Sequence, residues 1–257
     1  MLGDLVGKGG REAAQTMLPT LHEMYSPHFI IVNGENAAGG LGITPEIASD
    51  LLQSGVHAIT LGNHTWNKRA ILDYLDHESR ILRPANYPAG TPGRGFGVFT
   101  ATDGTRVGVA NLMGRVFMEP LDDPFRQADA ILEAFLGQTA VSFFDFHGEA
   151  TSEKMAFGNY LDGRASVVVG THTHVQTADE RLLPHGTAYI TDVGMVGPQH
   201  SIIGMDAASV VKKFITGLPH RFEVADGPIV LCGIVADVDA KTGRATQIER
   251  IQIRDIY

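Results

Sequence analysis

Two histidines two positions apart, His172 and His174 in the run Gly170-Thr171-His172-Thr173-His174, would project to the same side of an extended backbone. Such a pair can grip a metal ion. Lone-pair donors recur elsewhere after a Gly or an apolar residue: Asp4 after Gly3, Glu35 and Asn36 after Gly34, Asn63 and His64 after Gly62, His147 after Phe146. Neutral imidazole, carboxylate oxygen and amide oxygen together suit Fe, Mn or Zn better than a purely hard or purely soft cation. The chemistry these residue types offer is that of a metallohydrolase.

Each donor also has a plainer reading. Asp4 could be a solvated turn carboxylate and Asn36 a helix N-cap. His147, ending the apolar run Val141-Ser-Phe-Phe-Asp-Phe146, could be a hydrogen-bonded structural histidine. Glu35 follows Phe29-Ile-Ile-Val32, and a charge at the end of a buried strand is costly unless paired or metal-bound. It is the set that argues for a site, because several strand-end donors of matching chemistry are improbable as unrelated structural choices. The other histidines, at 22, 28, 57, 77, 185, 200 and 220, share no pattern. Asp145, Asp192 or backbone carbonyls are candidates for the partners that fix imidazole tautomers.

The elements that must position these residues alternate between β-rich runs and helical patterns. Strands are predicted at Phe29 to Asn33, Ala58 to Leu61, Val107 to Asn111, Ala140 to Phe146, Ser166 to Gly170, Thr187 to Asp192, Val230 to Asp237 and Ile248 to Ile253. Helices are predicted at Thr44 to Gln53, Lys68 to Leu75, Gln127 to Phe135, Thr151 to Asp162 and Met205 to Phe214. The alternation favours a layered α/β fold, and nearly every donor lies at the C-terminal end of a strand, where open α/β sheets place their sites. Arg83 to Gly95 and Gly194 to Gly204 read as long surface loops able to wall a pocket.

The chain of 257 residues, 44% hydrophobic and 19% charged, is expected to form a single domain over 1–257, since no linker, repeat or heptad divides it. No apolar run approaches the ~20 residues of a membrane span, and no export signal is visible, so the expected compartment is the cytoplasm. The one cysteine, Cys232, lies among apolar neighbours and is read as a buried, inert thiol. A formal charge of −9 argues against stable binding of a nucleic-acid polymer but not against a small phosphate ester, because bound metals would reverse the local field. A homo-oligomer would be compatible with an exposed apolar patch.

The runs Gly3-Asp4, Asn33-Gly-Glu-Asn-Ala-Ala38, Leu61-Gly-Asn-His-Thr-Trp66, Arg83-Pro-Ala-Asn86, Phe146-His-Gly-Glu-Ala-Thr-Ser-Glu-Lys154, Gly170-Thr-His-Thr-His-Val-Gln-Thr-Ala-Asp179 and Thr191-Asp-Val-Gly194 follow in order over nearly the whole chain. Together they resemble the YmdB-like branch of the calcineurin-type metallophosphoesterases. The resemblance implies a calcineurin-like metallophosphoesterase fold: two mixed β-sheets packed face to face and flanked by helices, a four-layer α/β/β/α sandwich. It implies that Asp4, Glu35, Asn36 and His174 hold one metal and that Glu35, Asn63, His147 and His172 hold the other, with Glu35 bridging and His64 as the catalytic histidine. Two ions per chain are implied, Fe or Mn first and Zn or Mg as alternatives. The implied activity is hydrolysis of 2′,3′-cyclic nucleoside monophosphates by a hydroxide activated between the metals, with His64 as general acid. The alternatives are a broad-specificity phosphomonoesterase or phosphodiesterase, and a regulatory binding protein acting through an RNA-processing partner. An amidohydrolase barrel is disfavoured, since its His-x-His pair would come on the first strand. Only Met1 and Leu2 precede Gly3, so the first central strand that the resemblance implies is expected to be nearly absent.

Overall fold

The strand Val141–His147 shows how the chain builds its layers: Val141 and Phe143 face one core while Phe144 and Phe146 face another. Alternation with apolar residues on both sides means that the strand is covered on both faces. Val107 and Val109 against Ala110 and Leu112, and Val167 and Val169 against Val168, repeat the pattern. The computed structural model, which describes residues 1–257, resolves this into two mixed sheets.

The first sheet contains β1 (Leu2–Leu5), β2 (Ile31–Asn33), β3 (Ala58–Thr60), β4 (Ile81–Leu82), β11 (Met195–Pro198), β12 (Ile229–Val238) and β13 (Ala245–Ile256), in the order β13-β12-β11-β1-β2-β3-β4. The second contains β5 (Phe96–Thr100), β6 (Arg106–Met113), β7 (Val141–His147), β8 (Val167–Thr171), β9 (Arg181–Leu182) and β10 (Ala188–Ile190), in the order β5-β6-β7-β8-β10-β9. The strands from β11 to β4 run parallel, as do β6, β7, β8 and β10. Helices α1 (Gly7–Tyr25), α2 (Pro45–Gln53) and α3 (Ile71–His77) cover the outer face of the first sheet, through Leu18, Leu51 and Leu75. Helices α4 (Pro124–Phe135) and α5 (Thr151–Tyr160) cover the second, where Phe146 and Phe157 stack with centroids 4.2 Å apart. Helix α6 (Ala207–Thr216) buries only Val210. The result is the four-layer α/β/β/α sandwich.

The edge strands β4, β5 and β9 fall outside the predicted strands, and three departures bear on the centre of the fold. The first strand is short but fully formed: β1 lies between β2 and β11, and the Met1 amine donates to Ile234 O at 2.8 Å. Helix α1, the longest in the chain, escapes prediction because Gly7, Gly9 and Gly10 open it and Pro19 lies inside it, all poor helix formers, so its propensity hides its apolar stripe. That stripe, Ala13, Ala14, Leu18 and Leu21, is buried, and Gly10 permits the close approach, since a Cβ there would strike Val196 O. The stretch expected to be a surface loop at Gly194 to Gly204 contains β11, a buried central strand, and Arg83 and Asn86 of the other expected loop are also buried.

Between the sheets, the end nearest the N-termini of the parallel strands is apolar. A cavity of about 560 Å³ opens there, lined by Phe29, Ile31, Val107, Phe143, Val167 and Ile234 among others. The opposite end is polar, with Asn33, Thr60, Asp145, His147 and Thr171 all buried. Cys232 is buried, and burial pushes its thiol pKa up. No helix is long and apolar enough to cross a membrane.

Candidate metal centre

The polar end is where the two sheets deliver their strand ends to one another. From the first sheet come Asp4, inside β1, Glu35 and Asn36 in the turn after β2, and Asn63 and His64 in the turn after β3. From the second come His147 at the end of β7 and His172 and His174 just beyond β8. Gly62 belongs to the design, because a Cβ at that position would run into the Glu35 carboxylate and the His147 ring.

Seven of the eight expected site residues converge. Glu35, His147 and His172 form one group and Asp4, Glu35 and His174 a second, the donor atoms within each lying within 4.8 Å of one another, with Glu35 common to both. His147 Nε2 is 3.2 Å from Glu35 Oε1, 2.9 Å from Asn63 Oδ1 and 3.1 Å from His172 Nδ1. His174 Nε2 is 4.0 Å from Asp4 Oδ1 and 3.0 Å from Asn36 Nδ2. Asn36 turns its amide nitrogen toward Glu35 Oε1 at 3.1 Å. The eighth residue, His64, stands beside the cluster: its backbone N–H donates to Glu35 Oε2 at 3.1 Å, while its ring Nδ1 faces Asn67 Oδ1 at 3.3 Å.

The expectation that His172 and His174 share one face of an extended strand does not hold. Strand β8 ends at Thr171, and both histidines take positive φ, 97° and 65°. Left-handed backbone at a bulky residue costs about 1–3 kcal/mol and persists where the surroundings enforce it. Here the enforcement comes from Asp192, whose Oδ2 accepts from Thr173 N at 3.1 Å, Thr173 Oγ1 at 2.7 Å and the buried Lys154 Nζ at 2.6 Å. The bend sends the two imidazoles to different groups.

Electrostatics are those of a crowded, dry pocket. Burial pushes the Asp4 carboxyl up to about 7, against the pull of His174 and His147. Burial would raise Glu35 too, but the charge and hydrogen bond of His147, with His64, bring it down to about 2. For His147 burial acts downward and is outweighed by Glu35, with Asp4 and Asp145, which lift it to about 9. Burial and the facing His147 take His172 down to about 3.

These residues fit a bound metal on two counts. Asp4 Oδ1 is buried without a hydrogen-bond partner, an expensive state for a carboxylate oxygen. Each imidazole is also held from outside by one nitrogen while the other points inward: His147 Nδ1 on Thr171 Oγ1 at 2.9 Å, His172 Nε2 on Glu149 Oε2 at 3.2 Å, His174 Nδ1 on Ile203 O at 2.9 Å. Outer hydrogen bonds of this kind fix tautomers in metal sites. Thr171, Glu149 and Asn67 went unrecognised in the sequence. Glu149 and Asn67 lie two and three positions from predicted site histidines, and Glu149 and Thr171 stand within the runs that carry the family resemblance, but the sequence assigns none of the three a role.

A family model described as "YmdB-like protein" matches residues 1–251. The chain is 54% identical to the 2′,3′-cyclic-nucleotide 2′-phosphodiesterase of Bacillus subtilis, over 99% of this chain and 96% of that one. Among solved structures it is similar to a phosphatase from Mycoplasma pneumoniae, with a TM-score of 0.93, 35% identity and 99% and 92% of the two chains covered. A hypothetical protein from Thermus thermophilus gives a TM-score of 0.92 at 40% identity, covering 99% and 98%.

Proposed function

The chain belongs to the YmdB-like protein family, and from that premise we propose that it is a metal-dependent phosphodiesterase that opens 2′,3′-cyclic nucleoside monophosphates at the 2′ oxygen. The observation that carries this reading is the pair of donor groups sharing Glu35, with the backbone of His64 tied to the same carboxylate. Asp4, Glu35, Asn36 and His174 would hold one ion, and Glu35, Asn63, His147 and His172 the other. Asn36 would use its amide oxygen, which requires the amide to turn from its present orientation. The mixed oxygen and nitrogen donors suit Fe or Mn, and ions held there would polarise the phosphoryl oxygens and lower the pKa of an attacking water.

The protein's own groups do the rest. Asp4 and Glu35 supply the negative charge that draws cations into the pocket, and the inward nitrogens of the three imidazoles supply neutral donors. His64 serves as the general acid: its Nδ1 faces Asn67 Oδ1, an acceptor for Nδ1–H, and the proton handed to the departing 2′ oxygen would be the one on Nε2, which requires the Asn63 amide nitrogen, now 3.4 Å from Nε2, to make room for the substrate. Water adds to phosphorus, the P–O2′ bond breaks, and the products are the free 2′ hydroxyl and a 3′ monoester. A small anionic ester suits a pocket at the end of two sheets, whereas a chain of charge −9 offers no basic track for a polymer.

The test is hydrolysis of 2′,3′-cyclic AMP, with products separated by chromatography, against bis(p-nitrophenyl) phosphate and p-nitrophenyl phosphate. The cyclic diester is expected to be the preferred substrate and 3′-AMP the product. Preference for the monoester would overturn the assignment in favour of a phosphomonoesterase.

A further inference from the structure

Of the three inward-facing imidazoles, His172 and His174 rest on groups that can only accept, a carboxylate and a carbonyl. His147 rests on the Thr171 hydroxyl, which can either donate or accept. Left alone, that hydroxyl would leave the imidazole tautomer undecided. The group behind it settles the matter: Thr171 Oγ1 is 2.7 Å from Asp145 Oδ1. The other oxygen of Asp145 faces Thr60 Oγ1 at 2.5 Å and Asn33 Nδ2 at 3.2 Å. The Asn33 amide is itself oriented by Glu35 N, which donates to its Oδ1 at 3.1 Å. Asp145 is therefore surrounded by donors and draws the Thr171 proton toward itself, leaving the hydroxyl oxygen to accept from His147 Nδ1–H.

We propose that Asp145 and Thr171 are positioning residues that set the tautomer of His147, holding the proton on Nδ1 so that Nε2 presents its lone pair to the Glu35, Asn63 and His172 group. All three side chains are buried between the sheets, on the inner face of β7 and just across it on β8. The relay reaches the first sheet as well, through Thr60 and Asn33, so the same carboxylate that orients His147 also ties β7 to β2 and β3. The inference rests on reading His147 as a metal ligand.

The experiment uses the full chain loaded with zinc, a diamagnetic stand-in, and measures zinc affinity by chelator competition together with the imidazole N–H signal of His147 by NMR. Thr171→Ser should behave as wild type. Thr171→Val should lose the slowly exchanging Nδ1–H signal and bind zinc at one of its positions about 10–100-fold more weakly. Asp145→Asn should do the same, because the amide offers donors where the hydroxyl proton now points, and it should add nothing in a chain that already carries Thr171→Val. Full zinc affinity and an unchanged N–H signal in Thr171→Val, or additive losses in the combined variant, would overturn the proposal. If Asp145→Asn does not fold, the Ser and Val variants at 171 decide alone. Absence of zinc binding in the wild type would instead count against the ligand reading, which keeps the two failures apart.

Discussion

Glu35 is shared by both donor groups, and its ionised form depends on His147 facing it in a site too dry to stabilise either charge alone. The consequence is a proton cost to metal binding. In the metal-free chain His147 stays protonated up to about pH 9 and Asp4 up to about pH 7, and both must give up protons to act as donors. Metal affinity should therefore rise from about pH 6 to about pH 9, with proton release visible by calorimetry in buffers of different ionisation heat. Binding without proton release would contradict this account. Gly62→Ala tests the packing of the same atoms: the added methyl displaces Glu35 and His147, so metal content should fall, and overpacking should cost about 1–3 kcal/mol in denaturant unfolding of the metal-free chain. At this scale the sequence was informative about which residues meet, since each donor follows a strand. It was silent on Thr171, Glu149 and Asn67, because nothing in a residue's type reveals which side-chain hydrogen bond orients a neighbour.

Strand and helix ends explain how the histidines reach their places. The bend after β8 runs against local preference at both His172 and His174, and the buried Lys154–Asp192 pair holds it, linking α5 to the segment after β10. Lys154→Met would leave Asp192 buried without its cation, and a loss of about 3–5 kcal/mol is expected in denaturant unfolding. A loss below about 1 kcal/mol would mean that the pair contributes no more than an exposed one. The alternation of strands and helices was readable from periodicity, and so were most core strands. What the sequence hid were α1 and five strands: the edge strands β4, β5 and β9, and the two central ones, β1 and β11. The two central strands are only four residues each, and α1 carries glycines and Pro19, so packing rather than propensity decides their conformation.

Neither sheet holds the centre by itself. The first supplies the carboxylates and amides, the second the imidazoles, and each donor group draws on both. Ions bound there bind only the packed sandwich, so chelation should lower the melting temperature. The shift should grow with metal concentration, reaching about 2.7 kcal/mol of stabilisation at a hundredfold excess over the dissociation constant. Residue patterning indicated only a layered α/β fold, because the central strands are apolar on both faces; the two facing sheets came from the family resemblance, and their mutual placement depends on long-range pairing such as β1 with β11, across about 190 residues. Architecture and chemistry meet in one comparison: turnover of 2′,3′-cyclic AMP by metal-analysed wild type and His64→Ala. Both proteins should carry about two metals per chain, and turnover should be lower by about 10²–10⁴-fold in the variant. A fully loaded wild type with no turnover, or a variant that loses its metals along with its activity, would contradict this mechanism.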